Sequence, residues 1–203
     1  MLSSLVSLRD AVMLALGIVV VLITPGPTNT LLAAAGLRQG ARRSLPLIGA
    51  ELAGYFVSIS TWGCFLARAS HTLPWLPSVL RIASGLYIAY LAIDMWRAAV
   101  ALPDSMAPAN GPRALFVATL LNPKALLFAG TIFPPIAFES LADYAFAMAL
   151  FACLLLPIAL AWIAFGAALG SGKLRWLDPV KLQRAASVVL GMFSLSLAWA
   201  ALH

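Results

Sequence analysis

Long uncharged stretches, separated by short charged segments, dominate the pattern along the chain. A transmembrane α-helix needs about 20 consecutive, mostly apolar residues, so stretches of this length predict membrane spans. The first one is too long for a cleaved signal peptide and is broken by prolines, so we expect it to stay in the mature protein. Six spans are predicted: Asp10 to Arg38, Arg43 to Arg68, about Pro77 to Arg97, Arg113 to Glu139, Asp143 to Lys173, and Arg184 to the C-terminus.

The third segment is the least uniform of the six, because it contains Arg81 and Asp94. The long side chain of Arg81 can extend to one membrane interface. Asp94 can pair with Arg97, one helical turn further on, at the other interface. We therefore count this segment as a span.

The distribution of basic residues predicts the orientation of the spans. Six alternating spans place nine lysines and arginines on one side of the membrane and three on the other. Because these residues collect in cytoplasmic loops, the richer side is predicted to be cytoplasmic, with both termini outside. The nine are Arg38, Arg42, Arg43, Arg97, Arg113, Lys173, Arg175, Lys181 and Arg184.

Composition excludes a soluble domain. Hydrophobic residues make up 63% of the 203 residues and charged residues 10%, against about 45–50% and 25% in soluble domains. The chain therefore belongs in a lipid bilayer. The net charge of +6 is accounted for by the cytoplasmic loops, so no nucleic-acid partner is expected.

Two prolines interrupt the first span. Pro25, Gly26 and Pro27 follow one another near its centre, and each proline lacks an N–H donor and clashes with the preceding turn of a helix. An unsatisfied backbone group in hydrocarbon is costly, so the break must face protein or a water-filled cavity. Suitable polar partners for the freed carbonyls are Thr24, Thr28 and Asn29.

A matching break lies in the fourth span, at Asn122-Pro123-Lys124. With three spans in each half, the second half enters the membrane from the opposite side. Paired interruptions of this kind are typical of inverted repeats in transporters. The sequence therefore predicts an all-α membrane protein, one domain over 1–203, with six transmembrane helices, broken helices 1 and 4, and repeats at about 8–100 and 110–203. Two unrelated proline kinks are the alternative.

Lys124 is the most informative single residue, because an ammonium near the bilayer centre needs a partner inside the protein. Three partners stay open: Glu51, a substrate carboxylate, or a backbone carbonyl that ties the two broken helices together. Glu51 is the acid that lies well inside a span, which makes it a candidate proton carrier. A cytoplasmic-side pair with Arg42 or Arg43 is the alternative for Glu51.

Other chemistry has weak support. Cys64 and Cys153 lie in apolar stretches without a CxxC or a Cys/His cluster, so we expect buried thiols, no disulfide framework and no metal site. A transmembrane thiol-redox conduit is one alternative function, and a non-transporting assembly subunit is another. No histidine lies in a span, and no nucleophile–base pair or phosphate loop is present, so we expect neither an enzyme nor a cofactor.

These motifs resemble the LysE/RhtB-type amino-acid exporter family over the whole chain. The resemblance rests on Pro-Gly-Pro-Thr-Asn at 25–29, followed by the Gly-Leu-Arg-Gln-Gly turn at 36–40. It continues with the Gly-x-Tyr-x-x-Tyr-Leu-Ala run at 85–92. It ends with Leu-Asn-Pro-Lys-Ala-Leu-Leu-Phe at 121–128 and the prolines at 134 and 135.

The resemblance implies export of amino acids or their small derivatives across the bacterial inner membrane, driven by the proton gradient as an antiport. Helix N-termini at the two breaks, together with Lys124, would hold a carboxylate. Asn29, Asn122 and freed carbonyls would receive an α-ammonium, and Tyr87 and Tyr90 would line the cavity. The amino acid itself and a homodimer are left open.

Overall fold

A computed structural model describes residues 8–73 and 111–171, together with single positions between 75 and 97 and between 184 and 195. Within these residues the chain forms helices and no β-strand. The predicted third and sixth spans fall mostly outside the described residues. The inverted repeat therefore stays a prediction.

The first half begins with a broken helix. Helix α1 (Leu8–Ile23) and helix α2 (Pro27–Ser44) meet at an angle of 57°, and helix α3 (Pro46–Thr72) follows directly. The bend lies at the predicted prolines. Both α2 and α3 start with a proline, a position where the missing N–H removes no helical hydrogen bond.

Helix α2 extends beyond the predicted end of the first span at Arg38. It continues through Gly36, so the predicted turn at 36–40 is helical except for Gly40. Gly40 has a φ of 76°, a left-handed conformation that glycine adopts without steric cost. The chain therefore changes direction at Gly40.

The second half is more interrupted than predicted. Helix α4 (Pro112–Leu120) and helix α5 (Pro123–Leu127) are separated by the predicted break at Asn122, with a bend of 44°. Helix α5 then widens into a π-helical turn, Phe128–Ile132, and a short 3₁₀ turn follows at Pro135–Phe138. The adjacent prolines at 134 and 135 prevent a regular helix from continuing past this point.

Helix α6 (Leu141–Gly170) is the longest helix that the structure describes, with 30 residues. Ser140 caps it by accepting a hydrogen bond from the Asp143 N–H at 3.1 Å. By length and composition it can cross a membrane alone, and each bent pair, α1 with α2 and α4 with α5, can form one broken span. Helix α3 was also predicted as a span, and its 27 residues are long enough to cross a membrane. It is less apolar than the helices named above, because Glu51 and several serines lower its mean hydropathy.

Three glycines, Gly36, Gly166 and Gly170, form what we call the glycine seam between α2 and α6. A Cβ added to Gly36 would lie 2.1 Å from the Ile163 carbonyl oxygen, and one added to Gly166 would lie 1.8 Å from the Ala33 carbonyl oxygen. The two backbones are therefore in direct contact. Small residues allow this close packing between helices in a bilayer, where lipid supplies no hydrophobic drive for association.

An aromatic core connects α3, the π-helical turn and α6. Tyr55, Phe128 and Phe151 are fully buried, and their rings meet edge to face at centroid distances of 5.0–5.7 Å. Such edge contacts stabilise beyond simple area burial. This core supports one side of the polar residues described below.

The outward faces of the helices are rich in exposed large hydrophobic residues, as expected for a surface in contact with lipid. Both cysteines lie on these faces, so the prediction that Cys64 and Cys153 are buried is wrong. In a bilayer protein, an apolar sequence context is equally consistent with the lipid-facing surface and with the core.

Candidate functional site

The first break is held by side chains from its own flanks. The Asn29 amide donates to the carbonyl oxygens of Leu22 at 2.7 Å and Thr24 at 2.8 Å. The Thr24 hydroxyl donates to the Val20 carbonyl at 2.7 Å. The expectation is confirmed for Asn29, which bonds two carbonyls at the break. The Val20 carbonyl that Thr24 bonds also accepts the Thr24 backbone N–H, and Thr28 bonds side chains instead of a carbonyl.

The second break is capped by Asn122. Its side-chain oxygen accepts a hydrogen bond from the Lys124 backbone N–H at 3.0 Å, while Pro123 occupies the first position of α5. This is the usual geometry of an asparagine N-cap. It also fixes the orientation of the side-chain amide, whose nitrogen then faces α2 and α3.

Lys124 connects the two breaks. Its side chain is only 5% exposed, and its Nζ donates to the backbone carbonyl of Thr24. It passes directly over Gly26, where a Cβ would lie 3.0 Å from the Lys124 Cε. Of the three predicted kinds of partner, the structure contains the backbone carbonyl, and it also brings Lys124 near Glu51.

Glu51 lies inside the protein, with 2% exposure. Its carboxylate is beside the Thr28 side chain and within electrostatic range of the Lys124 ammonium. Arg42 and Arg43 are exposed at the end of α2. The arrangement therefore favours the intramembrane interpretation of Glu51 over a surface pair with either arginine.

Tyr55 is a residue of this site that sequence reasoning missed. Its hydroxyl accepts a hydrogen bond from the Asn122 amide nitrogen at 3.1 Å and lies 3.5 Å from the Thr28 hydroxyl. The Asn122 nitrogen also reaches Thr28 directly, at 3.4 Å. A signal was present, because Tyr55 follows Glu51 by four residues and so lies on the same face of α3.

Together these side chains form what we call the polar cluster, located where the two broken helices meet α3. Its members are all buried and carry one basic and one acidic group. They are Thr24, Thr28, Asn29, Glu51, Tyr55, Asn122 and Lys124.

Of the two tyrosines predicted to line a cavity, the structure describes Tyr90, which is 61% exposed, unlike the buried members of the cluster. Tyr87 lies outside the described residues. The wall that the predicted third span would contribute therefore stays a prediction.

The cluster offers one positive and one negative group to a ligand. We expected freed carbonyls to take part in binding a substrate ammonium, but those of Leu22 and Thr24 already accept hydrogen bonds from Asn29 and Lys124. This leaves Glu51 as the best-placed acceptor for a cation. Across the described ranges, no group of three or more His, Cys, Asp or Glu residues could hold a metal ion.

A long apolar helix, two bent spans and charged residues buried between them define an all-α membrane transporter with discontinuous helices. The family profile described as LysE type translocator matches residues 19–203, and the chain belongs to this family. The predicted resemblance is thus confirmed. No curated protein and no solved structure matches the sequence.

Proposed function

We propose that the protein exports amino acids or small amino-acid derivatives across the bacterial inner membrane, in exchange for protons. One observation carries the proposal: Lys124 of the second break binds a backbone carbonyl of the first break, beside the buried Glu51. Buried charges at the junction of two broken helices are costly unless they serve a ligand or an ion. Membership of a translocator family supports the same function.

A zwitterion fits this pair of charges. The substrate carboxylate would replace the Thr24 carbonyl as the partner of Lys124, with α2 contributing the positive end of its dipole at Pro27. The substrate α-ammonium would bind Glu51. Substrate binding thus separates Lys124 from Glu51, which otherwise neutralise each other, and each residue then pairs with the opposite charge of the substrate.

The remaining predicted residues take supporting roles in the proposal. Pro25, Gly26 and Pro123 create the breaks, and Thr28, Asn29 and Asn122 hold their geometry by hydrogen bonds. Tyr87 and Tyr90 stay candidates for the wall of the substrate path.

Proton coupling follows from competition at Glu51. A buried carboxylate needs neutralisation, which either a proton or the substrate ammonium can supply, but not both at once. Substrate leaving to the outside frees Glu51 to take a proton, which then moves inward. Rocking of the two predicted repeats against each other would expose the cluster to each side in turn, with both termini outside.

The proposal is tested by export from cells and from proteoliposomes, with each amino acid in turn at toxic internal levels and mass spectrometry of the medium. We expect export of at least one amino acid, and Lys124→Ala to lower it by more than about tenfold, because Glu51 then lacks its buried partner. Asn122→Ala should lower it as well.

Arg113→Ala is the matched control, since this exposed cation lies at the start of α4 away from the cluster. It should export like the wild type. Unchanged export by both Lys124→Ala and Asn122→Ala would refute the site, and no export of any amino acid would refute the function. Loss of activity in a Cys64→Ser, Cys153→Ser double variant would instead favour thiol chemistry.

A further inference from the structure

We propose that Tyr55 is a positioning residue that couples the charge on Glu51 to the contact between the two helix breaks, and so prevents the empty transporter from changing sides without a proton. This inference rests on the proposed function. It assigns to a hydroxyl on α3 the task of keeping proton and substrate movement linked.

The orientation of the Asn122 side chain determines the direction of the hydrogen bonds around Tyr55. Because the Asn122 oxygen accepts from the Lys124 backbone, the Asn122 nitrogen must donate to the Tyr55 oxygen. Thr28 has one hydroxyl proton, and of the two acceptors beside it the Glu51 carboxylate is stronger than the Tyr55 oxygen, so we assign the proton to Glu51. Tyr55 must therefore donate to Thr28. Every donor in the chain from Asn122 through Tyr55 and Thr28 points towards the carboxylate.

Such a chain responds to the charge at its end. A hydrogen bond to an ionised carboxylate is about twice as strong as a neutral one, and bonds in a chain polarise each other in a low-dielectric interior. Protonation of Glu51 weakens the Thr28 bond and, through Tyr55, the bond to Asn122. Two titratable groups in the described part of the chain face Glu51: the Lys124 ammonium on α5 and the Tyr55 hydroxyl on its own helix.

The two ends of the chain belong to different breaks. Thr28 lies in the first turn of α2, and Asn122 caps α5. With Glu51 ionised and no substrate bound, the chain holds the breaks together and the empty transporter is locked. A proton on Glu51 loosens this lock, as does a substrate ammonium that occupies the carboxylate. Only loaded states then change sides, which is the requirement for coupled exchange.

Tyr55→Phe tests the role, because the ring keeps its edge contacts with Phe128 and Phe151 while the hydroxyl is removed. In proteoliposomes we expect proton-driven accumulation of substrate to fall about tenfold, since a hydrogen bond of this kind changes an equilibrium by up to that factor. Downhill efflux without a proton gradient should rise, because the empty transporter returns without a proton. Substrate exchange should fall less than accumulation does, because exchange does not involve the empty transporter.

Two further variants keep the result interpretable. Tyr144→Phe removes another membrane tyrosine hydroxyl, one that bonds to Ser60 rather than to the cluster, and should leave all three rates unchanged. Thr28→Val cuts the chain one link further on and should uncouple transport as Tyr55→Phe does.

The outcomes separate the two proposals. A wild type that moves no amino acid refutes the proposed function and this inference with it. A wild type that accumulates substrate, with Tyr55→Phe equal to it in both accumulation and downhill efflux, refutes the inference alone. An equal loss of accumulation, efflux and exchange in Tyr55→Phe also refutes it, because that result indicates a general packing role.

Discussion

The glycine seam gives a sharp prediction for Gly166→Ala. The added Cβ would lie 1.8 Å from the Ala33 carbonyl oxygen, 2.7 Å from its carbon and 2.9 Å from its Cα. These are backbone atoms in a helix, so no side-chain rotation can relieve the clash. A carbon stays about 3.3 Å from an oxygen in close contacts, so α2 and α6 must separate by about 1.5 Å.

The separation sets the size of the effect. A gap of about 0.5–1 Å already removes a quarter to a half of the dispersion attraction between contacting atoms. Overpacking of this kind typically costs about 1–3 kcal/mol, and we expect the upper end, because the whole α2–α6 contact is affected. For a chain of about 200 residues, about 3 kcal/mol lowers Tm by roughly 6–12 °C.

The assay is thermal unfolding of the purified protein in one detergent, followed by tryptophan fluorescence and by recovery of monodisperse protein after heating. Gly49→Ala is the matched control, because a Cβ at this α3 position has no neighbour within 4 Å. Alanine favours a helix by about 1 kcal/mol over glycine, so the control should equal or exceed the wild-type Tm. A Gly166→Ala Tm within about 2 °C of the control would refute direct backbone contact.

Three other predictions concern the breaks and the lipid-facing surface. Asn29→Leu should lower the free energy of unfolding by about 2–4 kcal/mol, because the Leu22 carbonyl loses its side-chain donor and the Thr24 carbonyl loses one of its two donors. Denaturant unfolding measures this change, and an unchanged midpoint would contradict the prediction. Gly26→Val should lower export several-fold by displacing Lys124, while Gly26→Ala retains most of it, since a Cβ there requires the flexible lysine to move only slightly; equal export by both would contradict this. Both cysteines should react with a small apolar maleimide that partitions into the detergent around the folded protein, as mass spectrometry can determine, and a thiol that reacts only after unfolding would contradict its exposure.

The helix breaks could be predicted from sequence, because their cause is local. A proline removes its own N–H wherever it stands, so Pro25, Pro27 and Pro123 interrupt a helix regardless of what surrounds them. The need of the freed carbonyls for polar partners is equally local, and Asn29 supplies one from within the same segment.

The partners across the site could not be predicted in the same way. Lys124 and the Thr24 carbonyl are 100 residues apart in sequence, and their contact depends on how two bent spans pack. Tyr55 appears apolar in a membrane helix until its hydroxyl is found between Thr28 and Asn122.

The glycine seam lies between these two cases. Gly166 and Gly170 are four residues apart in an apolar helix, which is a recognised signal for close helix contact. The signal does not identify the partner helix, and the sequence predicted that Gly36 belongs to a turn.

In the hydrogen bond between Lys124 and the Thr24 carbonyl, the side-chain donor is sensitive to mutation and the backbone acceptor is not. Every amino acid has a backbone carbonyl, so no substitution at position 24 deletes the acceptor, whereas almost any change at position 124 deletes the donor. A random mutagenesis screen for lost export should therefore recover changes at Lys124 far more often than at Thr24. Second-site suppressors of a position 124 variant should map to residues that reshape the first break, such as Gly26, or to Glu51.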